Sequence, residues 1–207
     1  MLELPKGIHF PTKEEVCSVP DMEAEYESAK KAFDENKENI SNGYLISESD
    51  DPRFRFAYEI NIDASRLWDF FWDISQALFG ELDDIYCIYG LKDEEMSLTD
   101  YKPKDYIKSV LEKYKYSIVH DGFLSVGVAF DKEIVEEVFI ESYKYLRIFT
   151  TQKDKVDSVL AKYDLKENPD MRFIDEFIVV SETVSDASKG ILHPDNIVNE
   201  LSKAFEV

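Results

Sequence analysis

Apolar and polar residues alternate most regularly between Arg53 and Ile62. Phe54, Phe56, Tyr58, Ile60 and Ile62 share one parity, and Arg53, Arg55, Ala57, Glu59 and Asn61 share the other. That period of two predicts a strand with one buried face. The period then changes. Asp63 stands where an N-cap would, and residues 64–79 carry Leu67, Trp68, Phe70, Phe71, Trp72, Ile74, Ala77 and Leu78. Only Arg66, Asp69, Asp73 and Gln76 make a polar stripe, so this helix is expected to be the most buried in the protein, with Arg66 offsetting Asp69 one turn away. Gly80 ends it, and Ile85–Tyr89 reads as a second strand, giving a strand-helix-strand unit over residues 53–90.

A second organising stretch runs from Tyr116 to Thr150. Tyr116–His120 and Phe123–Phe130 flank Asp121-Gly122, a dipeptide that suits a type I′ turn, so a hairpin is expected there. Leu124, Val126, Val128 and Phe130 alternate with Ser125, Gly127 and Ala129. Asp131-Lys132 and Ser142-Tyr143 supply turns into the strands Ile134–Glu141 and Lys144–Thr150, completing a meander over 116–150.

The remaining segments read mostly as helices. Thr12-Lys13-Glu14-Glu15 fits a capping box that Pro20 soon interrupts. A better helix runs from Pro20 to about Asn36, with a narrow stripe of Met22, Tyr26, Ala29 and Phe33. Ser47–Pro52 is a polar loop. Pro103 opens a helix to Tyr114 with Ile107, Val110, Leu111 and Tyr114 on one side. Thr151 and Asp154 cap a helix carrying Val156, Val159, Leu160 and Tyr163. Phe173–Val180 is apolar on both parities and reads as an interior strand, Ser181–Gly190 as a loop, and Pro194 opens a last helix. The whole predicts one α+β domain over residues 1–207, with a mixed, largely antiparallel sheet covered by helices and residues 1–50 as a peripheral helical arm or first layer.

Composition narrows the class. At 44% hydrophobic and 14% aromatic residues the chain is not a disordered one. The formal charge of −20 is concentrated in the first half, and such a field repels nucleic acid and anionic membranes and attracts cationic partners. No basic-then-apolar leader and no run of 18 apolar residues occurs, so a cytoplasmic protein without membrane spans is expected. Cys17 and Cys87 are far apart, and Cys87 sits in the apolar run 85–89, where a buried free thiol is the expected reading.

Candidate chemistry is sparse. His9, His120 and His193 stand at no ligand spacing, and HExxH, GxGxxG, GxxxxGK[ST] and GxSxG are all missing. Neither a metal nor a cofactor is expected, and the chain reads as a binding protein rather than an enzyme. Asp69 and Asp73 lie one turn apart but face no Glu-x-x-His partner, so they read as the exposed side of their helix. Tyr145, Arg147 and Phe149 share one face of a strand, and in so negative a field they read as core cover rather than as a nucleic-acid platform. Glu133, Glu137 and Glu141 could begin a row of carboxylates of the kind a nucleic-acid mimic needs.

The segment Tyr143–Thr151, the helix ending Leu160–Leu165 and the run Phe173-Ile174-Asp175-Glu176-Phe177 resemble bacterial immunity proteins of polymorphic and contact-dependent toxin systems. The likeness covers roughly residues 116–180. It implies a small cytoplasmic protein that binds and blocks one toxin domain, often a nuclease with a basic surface. On that reading the partner is a basic protein, bound without direct nucleic-acid or membrane contact, and the contact residues are expected in the acidic, tyrosine-bearing stretch: Asp83, Asp84, Tyr89, Asp93, Glu94, Glu95 and Tyr101. Two other readings stand beside it: an enzyme with unrecognised chemistry, and a nucleic-acid-mimicking inhibitor of a DNA-binding protein.

Overall fold

The capping box at residues 12–15 forms as its spacing requires. The Thr12 backbone N–H donates to the Glu15 carboxylate (2.6 Å) and the Glu15 N–H returns to the Thr12 hydroxyl (3.4 Å). The structure is a computed structural model that describes residues 2–16 and 23–206. Cys17, Pro20 and Met22 therefore lie outside the described residues. In chain order the elements are β1 (Ile8–His9), α1 (Lys13–Val16), α2 (Glu23–Asn36), β2 (Gly43–Glu48), β3 (Phe56–Asn61), α3 (Ala64–Phe79), β4 (Asp84–Leu91), β5 (Ser97–Leu98), β6 (Lys102–Pro103), α4 (Lys104–Leu111), α5 (Lys115–His120), β7 (Leu124–Phe130), β8 (Glu136–Ile140), β9 (Leu146–Thr150), α6 (Lys153–Lys162), β10 (Val180–Ser181) and α7 (Pro194–Phe205).

Eight strands form the main sheet in the order β2-β3-β9-β8-β7-β4-β5, with β6 also on β4, and every ladder is antiparallel. Four antiparallel steps separate β3 from β4, so these two strands run the same way, and α3 is the crossover between them. Its buried side chains, Leu67, Phe70, Phe71 and Ile74 among them, press on Tyr58, Ile60, Cys87, Tyr89, Val126, Val128, Val138, Ile140, Leu146 and Ile148 of the sheet. Each large side chain removed from water there contributes about 1.5–3 kcal/mol. Helices α4, α5, α6 and α7 add Ile107, Ile118, Val156 and Leu201 to the same layer. A smaller cluster joins Ile8, Ile40 and Ile174 with Phe33 and Phe177 at the periphery, and β1 pairs with β10 in a separate two-stranded sheet. The result is one α+β domain with a largely antiparallel sheet.

Several elements differ from the pattern-based reading. Tyr116–His120 is helical, not a strand, because the stripe Ile107, Val110, Leu111, Tyr114 continues at Ile118 through the 3₁₀ turn Glu112–Tyr114. Asp121-Gly122 is therefore no hairpin. Asp121 is extended (φ −79°, ψ 126°), and its buried carboxylate accepts from the N–H of Phe123 (3.0 Å) and of Val184 (3.0 Å) and from the Thr183 hydroxyl (2.9 Å). Phe173–Val180 is not an interior strand either. Residues 174–176 turn as a 3₁₀ helix, closed by the Phe173 N–H on the Glu176 carboxylate (2.8 Å). Asp63 precedes α3 but does not cap it through its side chain. Its two oxygens accept from the Glu3 N–H and the Asn42 side chain (both 2.8 Å), tying the N-terminal segment to α3. Thr151 likewise donates to Glu136 (2.7 Å) and leaves Gln152 as the N-cap of α6. Arg66 donates to the Tyr163 carbonyl (2.5 Å), and Asp69 meets Lys115 (3.7 Å) instead. Residues 43–48, expected at the periphery and partly in a loop, form an edge strand of the main sheet.

A candidate binding face on the strands

The helices cover one side of the sheet; the side chains of opposite parity point away from them. On β8 these are Glu137 and Phe139, followed by Glu141. On β9 they are Arg147 and Phe149, preceded by Tyr145, and on β3 they are Ala57 and Glu59. Register places Glu137 opposite Phe149 and Phe139 opposite Arg147, with Glu59 on the far side of Arg147. The Phe139 ring lies over Gly127 of β7. A Cβ on Gly127 would stand 2.4 Å from that ring, so glycine makes the space.

Arg147 is the cation at the centre. Its guanidinium reaches Glu141 (2.9 Å) and Glu137 (3.9 Å), and lies 5.6 Å and 5.3 Å from the ring centroids of Phe139 and Phe149. Burial raises the carboxyls of Glu137 and Glu141 above the ordinary range, and the nearby guanidinium only partly offsets this. Beside them opens a half-enclosed cleft of about 710 Å³, bounded by Leu45, Glu59, Tyr145 and the segment 169–176. Asp175 lines it with a carboxyl raised by burial. The Tyr145 ring packs against Phe173 at 4.7 Å, and Arg172 is held by Glu176 (2.7 Å). The arrangement presents carboxylates on an aromatic floor, where the charge of an arriving cation would offset the cost of their desolvation.

The seven residues expected to make the contact do not converge. Asp83 and Asp84 are exposed at the start of β4, where the Asp83 carbonyl accepts the Lys104 N–H (3.1 Å). Asp93, Glu94 and Glu95 are exposed in the tight turn after β4, which Asp93 makes with φ +65°. Eight residues of strand, roughly 25 Å, separate the two groups. Tyr101 is half-buried, trades hydrogen bonds with Asp131 (2.7 and 3.0 Å) and packs on Tyr86 and Phe130. Tyr89 is a correction: it is fully buried, on the helix side of the sheet, with its hydroxyl on Ser202 (3.1 Å). The inward parity of β4 places it there.

Tyr145, Arg147 and Phe149 are also not core cover, since they point away from the helices. Glu137 and Glu141, a pair visible as alternate positions of one strand, meet them through β8–β9 pairing, whereas Glu133 lies outside the strand. The signal for this face was the polar parity of two successive strands. Among the described residues no group of three or more His, Cys, Asp or Glu side chains is placed to hold a metal ion, and no helix is long and apolar enough to cross a membrane. No protein-family model, no curated protein and no solved structure matches this chain.

Proposed function

We propose that this chain is a binding protein that inhibits a basic protein partner, as an immunity protein inhibits its toxin domain, and that the strand face around Arg147 is its contact surface. The observation that carries this reading is the gathering of Glu59, Glu137, Glu141 and Asp175 on an aromatic floor, with two of the carboxylates already sharing one guanidinium. A lysine or arginine of the partner entering the 710 Å³ cleft would gain charge-assisted hydrogen bonds and an aromatic wall. The protein's net charge of −20 would speed encounter with a basic surface at low salt.

The test is capture of partners from the source organism's extract on immobilised protein at low and high salt. Three proteins would be compared: the wild type, the triple variant Glu59→Gln, Glu137→Gln, Glu141→Gln, and the triple variant Asp93→Lys, Glu94→Lys, Glu95→Lys. A stoichiometric basic partner lost on the first triple variant and kept on the second supports the reading and its surface. Loss on the second alone moves the contact to the turn after β4. Recovery of no basic protein at either salt removes the proposal.

A further inference from the structure

We propose that a second site, on the helical side of the molecule, binds a small anion, a carboxylate or a phosphate, carried on a flat apolar body. A cleft of about 420 Å³ lies against the first turns of α3, bounded by Ala64, Trp68, Lys113, Lys115, Tyr116 and His120. This is within the range of roughly 300–1,000 Å³ usual for small-molecule sites. It shares Trp68, Glu112 and Lys115 with a neighbouring cleft of about 460 Å³ that continues along α3 past Trp72, Lys108 and Lys162.

In a chain of net charge −20 the joined clefts hold four lysines, Lys108, Lys113, Lys115 and Lys162, against three carboxylates, Asp69, Asp73 and Glu112. Glu112 accepts from the Trp68 indole (2.9 Å), and Asp73 accepts from Lys162 (2.6 Å) and the Tyr163 hydroxyl (2.7 Å). Among the described residues no carboxylate comes within ion-pair distance of Lys108 or Lys113, and Lys115 reaches Asp69 only at 3.7 Å. His120 is half-buried. Its Nδ1 accepts the Lys6 backbone N–H (3.4 Å), which leaves Nε2 to carry the proton of a neutral ring, and Tyr116 packs edge-on against it (4.9 Å). The joined clefts therefore offer, among the described residues, Lys108 and Lys113 without an ion pair, the His120 Nε2 proton, and walls of Trp68, Tyr116 and Ala64. A surplus of cationic donors over carboxylates selects an anion. Aromatic and methyl walls select a flat apolar body.

The chain's two tryptophans both border the joined clefts, so intrinsic fluorescence reads this site directly. The full chain would be titrated with benzoate, phenyl phosphate, inorganic phosphate and, as a cationic control, benzamidine. The expected result is a saturable change with benzoate or phenyl phosphate below about 1 mM, an affinity small ligands reach with few contacts, and no saturation with benzamidine. The relative affinity of benzoate and phenyl phosphate tells carboxylate from phosphate. The double variant Lys113→Gln, Lys115→Gln should weaken binding about tenfold or more with an unchanged melting temperature. Saturation by benzamidine, an unsaturable response to every anion, or undiminished binding by the double variant overturns the proposal. None of these outcomes bears on the strand face.

Discussion

The Lys144 ammonium group donates to the main-chain carbonyl oxygen of Leu124 in the interior of the protein. Lys144 is fully buried and its backbone is left-handed (φ +65°), so the turn between β8 and β9 carries the side chain inward. Burial lowers its pKa to about 7, against the weaker pull of the Asp121 and Glu141 carboxylates. The folded state therefore binds this proton less well than the unfolded chain. That penalty is complete below pH 7 and disappears as pH rises toward the ordinary lysine range. Urea unfolding should show stability increasing from pH 7 to 9.5. Lys144→Met should flatten that rise and stabilise the fold at pH 7 by roughly 1–4 kcal/mol.

Glu137 and Glu141 carry the opposite sign. Their folded carboxyls are raised by burial, so their contribution to stability is present below the unfolded pKa and is lost as pH rises through the folded one. The variants Glu137→Gln and Glu141→Gln should each gain stability relative to wild type at pH 7 and none at pH 4. Arg147→Gln should do the reverse, losing stability at pH 7 by leaving two half-buried carboxylates without their cation. Melting curves at the two pH values check both directions.

Three backbone segments meet where Gly7 faces Gly122. The Gly7 N–H donates to the His120 carbonyl (2.8 Å), the Glu182 N–H to Gly7 (2.8 Å), and the Gly122 N–H to Glu182 (3.0 Å). A Cβ on Gly7 would stand 2.4 Å from the Glu182 oxygen, and one on Gly122 would stand 2.5 Å from the Gly7 oxygen. All of these neighbours are backbone, so none can swing aside. Gly7→Ala or Gly122→Ala should cost about 1–3 kcal/mol. Amide exchange should show faster opening of residues 7–9 and 180–184 while the main sheet stays protected.

Phe70 is fully buried on α3, packed edge-on to Tyr163 (4.9 Å). Phe70→Ala removes the ring from the middle of the helix layer and should cost about 3–5 kcal/mol by denaturant unfolding. Asp69→Ala, one residue earlier and exposed, should be nearly neutral.

Local periodicity alone was enough for α3, α4 and α7, for β3 and β7, and for the turns that link β7, β8 and β9. In each case one face is apolar at a period the backbone can satisfy by itself. It was also enough to single out Glu137 with Glu141, and Tyr145 with Arg147 and Phe149, as two sets on two strands. Their meeting was a matter of register, which only the pairing of Glu137 with Phe149 and of Phe139 with Arg147 decides. The same holds for the acidic stretch from Asp83 to Tyr101. Its residues are close in sequence, yet an extended strand sends Asp83 and Asp93 to opposite ends and its parity turns Tyr89 into the core. Asp63, Thr151 and Asp121 have cap and turn chemistry, but partners distant in sequence recruit them: Glu3 and Asn42, Glu136, and Val184. Each of these side chains pairs with the donor or acceptor that the fold brings beside it. Which group that is depends on the assembled layers and not on the neighbouring residues.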